Sequence, residues 1–388
     1  MNLAIMKKVV KTKIYKKRLL LFGASNFGMT FYSDFLLPNE IDIIGFLDND
    51  KRKLGSFLCE RPIMEPDVLL KIEFDYVLIT SQFAGDILNQ LLKLGIKRDA
   101  IIIISPQFLA RSKIWPTVLF FRFSSFFRRS GIRSNTEEVI ISLTTIPSRV
   151  ETLWICIESL LRQDFKPSHI ILWLSKEEFK NIKLPPLVLK QQKRGLQIRY
   201  CENLKSHKKY YYSMLEFPNS TVVTVDDDVI YPQDMLERLM KKHYQYPGKI
   251  ICNRAHKIQF NDNNELKSYN HWSSGATNFR GPSHLLLPTG VSGVLYPPAS
   301  LHKEVFNKDI FMTLCPTQDD LWLKVMAFKK NTKVVKVEKY SRNFIEIDGT
   351  QNNALWKDNA LNGLNDVGFI KLLDEYKITF NPDVDNGL

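Results

Sequence analysis

Three consecutive carboxylates, Asp226-Asp227-Asp228, end the β-rich run Thr221-Val-Val-Thr-Val225 and precede Val229-Ile-Tyr-Pro232. Like charges grouped in this way repel, and a hard divalent cation that takes one or two acids as ligands and bridges to phosphate oxygens relieves the repulsion. If extended backbone persists through the triplet, Asp226 and Asp228 share one face and Asp227 takes the other. An acidic turn that caps the following helix is the alternative, and it uses one aspartate of the three.

A second acidic pair, Asp319-Asp320, sits in Pro316-Thr-Gln-Asp-Asp-Leu-Trp-Leu-Lys324. The apolar residues after it predict a helix start, where the dipole favours carboxylates, so capping accounts for the pair. A general base that takes a proton from an attacking hydroxyl accounts for it equally. Between the acidic groups lies Leu287-Pro-Thr-Gly-Val-Ser-Gly-Val-Leu-Tyr-Pro-Pro298. Its Gly290 and Gly293 permit close backbone approach to a ligand, or form a tight structural turn. Near the start, Gly23, Ser25 and Gly28 follow the dinucleotide-binding glycine pattern with serine at the middle position. Asp48 stands 20 residues after Gly28, where a ribose-binding acid is expected. Packing glycines produce the same pattern.

These residues need strands and helices to position them. Arg18–Phe22, Ile41–Leu47, Tyr76–Thr80 and Ile101–Ile104 read as buried strands, with a helix over Ala84–Leu94. Continuous apolar strands alternating with helices predict a parallel sheet covered by helices. A second α/β set follows. Its strands are Val139–Leu143, His169–Leu174, Gln197–Tyr200 and Thr221–Val225. Its helices carry Val150, Leu153, Trp154, Ile157, Leu160 and Leu161 on one face and then run over Met235–Tyr244. Ser148 and Glu151 form a capping-box signature for the first of those helices.

The hydrophobic fraction of 44% and charged fraction of 24% belong to an ordinary globular chain, and 388 residues exceed a single core. No apolar run is long enough to span a bilayer, and no apolar segment follows the basic start Met1–Arg18, which predicts no signal peptide. Cys59, Cys156, Cys201, Cys252 and Cys315 are scattered and form no CxxC pair; this argues against a disulfide framework or zinc site and fits a reducing cytoplasm. The net charge of +13 is uneven, with seven Lys or Arg among the first 18 residues. Arg122, Arg128, Arg129 and Arg133 lie among Leu119, Phe120, Phe121, Phe123, Phe126 and Phe127. That segment reads as an interfacial helix on an anionic membrane surface, or as a connecting helix whose aromatics are packed.

From about residue 137 to 375 the chain resembles bacterial glycosyltransferases of the GT-A fold, of family-two-like type. The segments that carry the resemblance are Ile141-Ser-Leu-Thr-Thr-Ile-Pro-Ser-Arg149, Lys205-Ser-His-Lys-Lys209, Thr224-Val-Asp-Asp-Asp-Val-Ile-Tyr-Pro232, and the glycine loop with Asp-Asp-Leu-Trp. The resemblance implies that Asp226 and Asp228 form a DxD motif that contacts ribose and holds Mn or Mg, with Asp227 beside them. It implies Asp320 as the base with Asp319 as fallback, Thr144 and Arg149 facing the nucleotide, and Lys209 meeting a phosphate. It implies a UDP- or GDP-sugar donor, a glycan or lipid-linked acceptor, and inversion. Some GT-A enzymes supply a late histidine as a metal ligand, whereas His302 is the last one here. In the first half, Gly45-Phe-Leu-Asp-Asn-Asp50 resembles sugar-nucleotide-binding domains that precede some bacterial sugar-modifying enzymes.

The expected organisation is α/β with two domains: a basic tail (1–16), a Rossmann-like parallel sheet (17–110), a basic aromatic linker (111–136) and a GT-A domain (137–388). Surface-polysaccharide synthesis at the inner face of the membrane is the implied setting. The rival reading is a nucleotide-sugar oxidoreductase or epimerase working through the first half, although no Tyr-x-x-x-Lys pair is present there. Nucleic acid is not expected as a partner, since the basic residues follow no nucleic-acid motif and the acidic triplet repels phosphate.

Overall fold

A computed structural model describes residues 17–32, 36, 41–81, 83–104, 117–118, 121, 130–134, 136–276, 278–339, 341, 344–347, 350, 363–383 and 385. The basic tail and Arg122, Arg128 and Arg129 lie outside the described residues. The chain divides into two compact units, residues 1–119 and 120–388. The boundary falls inside the expected linker.

In the first unit the strands are β1 (Leu19–Phe22), β2 (Gly45–Leu47), β3 (Phe57–Leu58), β4 (Arg61–Met64), β5 (Tyr76–Ile79) and β6 (Ile101–Ile103). Its described helices are α1 (Asn26–Phe31) and α2 (Ala84–Lys93). The sheet order is β3-β4-β2-β1-β5-β6, parallel except for the β3–β4 pairing. Leu19 to Phe22 are all buried, as a central strand covered on both faces requires. The order reverses at β1, flanked by β2 and β5, so the loop after β1 opens at the switch point.

The second unit contains β7 (Val139–Thr144), β8 (His169–Ser175), β9 (Leu196–Cys201), β10 (Thr221–Thr224), β11 (Val229–Ile230), β12 (Ile250–Cys252), β13 (Ala255–Lys257), β14 (Leu286–Pro288), β15 (Val294–Tyr296), β16 (Val334–Lys336) and β17 (Ile345–Glu346). Its described helices are α3 (Leu153–Leu160), α4 (Pro186–Gln191), α5 (Lys208–Glu216), α6 (Met235–Gln245), α7 (Lys308–Leu314), α8 (Asp319–Lys329) and α9 (Leu364–Tyr376). The main sheet runs β16-β12-β15-β10-β7-β8-β9, and β15 is antiparallel to both neighbours. Here the order reverses at β7, between β8 and β10. Two short antiparallel pairs, β11–β17 and β13–β14, stand beside it.

Helix α5 packs on β7, β8 and β10, and α6 on β12 and β15. The largest described core cluster gathers Trp322, Phe311, Tyr210, Leu286 and Phe369. Burying aromatic side chains of this size supplies several kcal/mol of the stability of the fold.

The capping box expected at Ser148 and Glu151 does not form. Pro147–Arg149 is a 3₁₀ turn and α3 begins after Thr152. The turn directs Arg149 to the aspartates, and the Thr152 hydroxyl donates to the Arg149 carbonyl at 3.1 Å. In the aromatic linker, Phe121 is buried with the Arg162 guanidinium 4.5 Å from its ring centre, a packing role for that residue. The linker's end is held too: Gly131 N–H donates to Arg194 O and Arg133 N–H to Pro167 O, all within the second unit.

Candidate active site

Strand β10 stops at Thr224, two residues before the acidic triplet, and the backbone bends through Asp227 and Asp228. The strict alternation of faces therefore does not carry through. Asp226 turns to Lys209, with Nζ 2.7 Å from Oδ1. Asp227 and Asp228 converge on Arg149, at 2.6 Å and 3.2 Å. The Thr145 hydroxyl donates to the other Asp227 oxygen at 2.5 Å. Thr145 follows β7 and the triplet follows β10, so the site occupies the carboxyl ends of the strands at the switch point, where open α/β sheets place ligands.

The backbone at Asp226 is fixed from two directions. Its N–H donates to Tyr231 Oη at 2.8 Å, and its carbonyl accepts from the Cys156 thiol at 3.3 Å. Tyr231 O–H donates onward to Val291 O at 3.1 Å, joining the triplet to the glycine loop. The Asp226 side chain is 29% exposed, against 5% for Asp227 and 11% for Asp228, so Asp226 is the member most open to a ligand.

Lys209 is the hub of the second half. Its ammonium is 3.0 Å from Asp319 Oδ2 as well as touching Asp226. Burial opposes its charge, but Asp226, Asp319 and Asp320 outweigh burial and hold its pKa well above the ordinary lysine value. Lys209, expected to meet a phosphate, is here in contact with two carboxylates and in the field of a third. Its position comes from His207 at the turn before α5, stacked on Phe311 with ring centres 4.2 Å apart and bonded through Nε2 to Cys315 O at 2.8 Å. Burial drops the His207 pKa to about 4, so the ring is neutral and its Nδ1 accepts from Tyr210.

Asp319 and Asp320 open α8. Burial would raise Asp319, but Lys209 and His207 prevail and hold it below the usual carboxylate value. Burial, then the charge of Asp319, push Asp320 up to about 7. Its Oδ2 accepts the Gly290 N–H at 3.1 Å. A methyl group added at Gly290 would lie 2.8 Å from Lys209 Nζ, 3.3 Å from Asp320 Oδ1 and 3.4 Å from Asp226 Oδ1, so the glycine lets backbone enter the cluster. Gly293 has φ +86° and faces Met235, Leu239 and Val225, which makes it a packing position. Thr144 is directed away from the triplet, its hydroxyl donating to Trp173 O at 2.8 Å.

The triplet's own electrostatics are strained. Burial, then Asp226 and Asp227, push Asp228 up to about 7, and burial raises Asp227 against the pull of Arg149. Among the described residues, no three His, Cys, Asp or Glu side chains form a group able to hold a metal ion. Asp226 and Asp228 offer oxygen donors only, the kind a hard cation takes, and in this arrangement they face Lys209 and Arg149 instead.

Residues without a sequence motif complete the site. Pairing of β11 with β17 sets Glu346 opposite Val229, and the Ile347 N–H donates to Asp228 O at 2.8 Å. The charge of Glu346 contributes to the upward shift of Asp228. Arg254 likewise carried no signal beyond its residue type, whereas Thr145 and Tyr231 lie inside the segments that carry the resemblance without having been singled out. The alternation Ile345-Glu346-Ile347 was the one hint of the short strand.

In the first unit, Gly23 (φ +123°) and Gly28 are demanded by packing. A Cβ at Gly23 would lie 2.5 Å from Thr80 O, and one at Gly28 would lie 2.1 Å from Gly23 O. Ser25 caps α1 through the Gly28 N–H at 3.4 Å. Asp48 is engaged by the loop itself, accepting from the Ala24 N–H (3.0 Å), the Asp50 N–H (2.9 Å) and Lys53 (2.9 Å). Its carboxylate closes the loop rather than standing open for a ribose.

The C2185-like, N-terminal family matches residues 15–102. No curated protein matches the chain. Solved structures similar to it include a mannosyltransferase from Pyrobaculum calidifontis in complex with GDP-Man and Mn2+, at 11% identity and TM-score 0.38, covering 71% of this chain and 76% of that one. Another is glucosyl-3-phosphoglycerate synthase from Mycobacterium tuberculosis in complex with phosphoglyceric acid, at 11% identity and TM-score 0.35, covering 63% and 82%. Likeness at this level assigns no activity to the chain.

Proposed function

We propose that the second unit is a glycosyltransferase that moves a sugar from a nucleotide-diphosphate sugar to a hydroxyl of a glycan or lipid-linked acceptor. One observation carries the reading: Asp226, Asp319 and Asp320 meet around Lys209 and Gly290 at the carboxyl end of the switch-point strands, with Asp320 near pKa 7. An acid poised near neutrality beside a second acidic group suits proton abstraction next to a phosphate-bearing donor.

In this mechanism Asp320 accepts the proton of the acceptor hydroxyl. The hydroxyl oxygen bonds to the anomeric carbon as the carbon–oxygen bond to the diphosphate breaks, and configuration inverts. The Gly290 N–H holds Asp320 in place, and Lys209 keeps Asp319 ionised behind it. Arg149 and Thr145 orient Asp227 and Asp228. Asp226 and Asp228 would hold Mn or Mg, which when bound supplies charge compensation to the departing nucleoside diphosphate. Surface-polysaccharide synthesis at the cytoplasmic face is the setting this reading implies. Among the described residues no helix is long and apolar enough to cross a membrane.

The test is a panel of UDP- and GDP-sugars offered to the full chain, with mass spectrometry of released nucleotide and of sugar. Consumption of one donor by the wild type and its loss in Asp320→Asn supports the reading; indifference of both proteins to every donor rejects it.

A further inference from the structure

We propose that Arg254 forms a subsite for an anionic group, phosphate or carboxylate, carried by the acceptor; this rests on the transferase reading. Arg254 lies between β12 and β13 and is tied to the glycine loop by backbone, with the Thr289 N–H donating to Arg254 O at 3.0 Å. Its guanidinium donates through Nη1 to Thr289 Oγ1 at 3.0 Å and through Nη2 to Ser274 Oγ at 3.4 Å. The residue after Thr289 is Gly290, whose N–H anchors Asp320. The cation is therefore built into the same loop that positions the base.

The two cations of this region differ in how they are satisfied. Lys209 has contacts with two carboxylates and the field of a third. Arg254, among the described residues, makes no ion pair and bonds only to neutral hydroxyls. A guanidinium carries five N–H donors, and two of them have partners here. Arg254 is half-buried, and burial outweighs the combined fields of Tyr269, Asp320 and Glu346 and lowers its pKa. An anion brought by a ligand would meet N–H donors that no carboxylate has taken. Tyr269, edge-on to His256 and tilted against Trp272, feels the charges of both Asp320 and Arg254.

The place of Arg254 in the sheet selects the acceptor over the donor diphosphate. Thr145, Arg149 and the triplet follow β7 and β10, whereas Arg254 follows β12, which is separated from β10 by β15. Two strand spacings are about 10 Å. That offset sets Arg254 apart from Thr145 and Arg149 and beside the loop that anchors Asp320, the neighbourhood an acceptor hydroxyl must reach.

Calorimetric titration of inorganic phosphate into the full chain, with and without saturating UDP and GDP, tests the subsite in wild type, Arg254→Gln and Arg254→Lys. Glutamine keeps hydrogen bonding to Thr289 and loses the charge. The expected result is phosphate affinity at least about tenfold weaker in R254Q, largely restored in R254K, with nucleotide affinity equal in all three. Equal phosphate affinity in wild type and R254Q overturns the subsite. A parallel loss of nucleotide affinity in R254Q moves the anion to the donor and overturns the acceptor assignment. Melting curves of each protein without ligand confirm that folded chains are compared, and R254K supplies the comparison if R254Q does not fold. Donor hydrolysis by wild type without acceptor is read separately. Its absence, with Arg254-dependent phosphate binding intact, rejects the transferase reading and leaves the anion subsite standing.

Discussion

Lys209 Nζ lies 2.7 Å from Asp226 Oδ1, and this pair joins the acidic triplet after β10 to the acidic pair that opens α8. Neither acidic group is adjacent to the other in sequence, and the lysine comes from a third element, α5. Removing it leaves Asp226, Asp319 and Asp320 facing one another without compensation.

Lys209→Met should therefore destabilise the second unit by about 3–5 kcal/mol, the usual cost of breaking a buried ion pair by deleting one partner. The loss should shrink as pH falls and the stranded carboxylates take up protons. Thermal melts of wild type and variant across the acid range check this; a constant difference at all pH values would show that the lysine acts by packing alone.

The glycine loop separates two roles by position. Gly290→Ala pushes a methyl group to 2.8 Å from Lys209 Nζ and displaces the anchor of Asp320. Its activity should fall on the order of 10²-fold with a modest change in stability, as misplacement near the reacting groups does. Gly293→Ala must adopt φ +86° against Met235. It should lose more than about 1 kcal/mol of stability yet keep turnover per folded molecule. Steady-state kinetics alongside denaturant melts tell the two apart, and the reverse pattern would exchange their roles.

If Asp320 is the base, its ionisation, pushed up to about 7, should give both activity and stability a pH dependence. A base must be deprotonated to act, so kcat/KM should drop about tenfold per pH unit below about 7. In stability the sign is opposite to that of a stabilising salt bridge. Its folded pKa, about 7, exceeds the ordinary 3.8, so the folded chain holds the proton more tightly than the unfolded one. Stability is then lost as pH rises from about 4 to about 7, and the penalty is complete above that window. Asp320→Asn should melt higher than wild type at about pH 8 and alike at about pH 4, while transfer falls by 10²-fold or more. A variant that melts lower at both pH values would contradict the strained-acid description.

Much of this arrangement was legible before any coordinates. The run Val222-Val223 ending in aspartates marked a buried strand delivering acids to its carboxyl end, and Leu321-Trp322-Leu323 marked the helix behind Asp319 and Asp320. The strands named from the sequence stand within a few residues of their expected limits because continuous Val, Ile and Leu runs admit few other readings, whereas β4, β12 and β16 were not named. The β3–β4 hairpin was not legible: its turn holds Cys59 and Glu60 at φ 50° and 62°, without the Gly or Asn that signals such a turn. Nor was the antiparallel insertion of β15, since pairing direction depends on what the chain does between strands rather than on strand composition. The expected alternation through Asp226-Asp227-Asp228 failed for a local reason. The strand ends at Thr224, one residue early, and Arg149 gathers two of the acids to one side. Arg254 and Glu346 escaped notice because single charged residues outside a motif resemble any solvated position until burial is known.

The central claim is that the acidic cluster uses a nucleotide-diphosphate sugar with a divalent cation held by Asp226 and Asp228. Its most direct test is turnover of the preferred UDP- or GDP-sugar by the full chain, before and after exhaustive chelation, beside Asp228→Ala. The account predicts that chelation abolishes product, that added Mn or Mg restores it, and that Asp228→Ala stays inactive with either metal. Undiminished transfer by the chelated chain or by Asp228→Ala would contradict it.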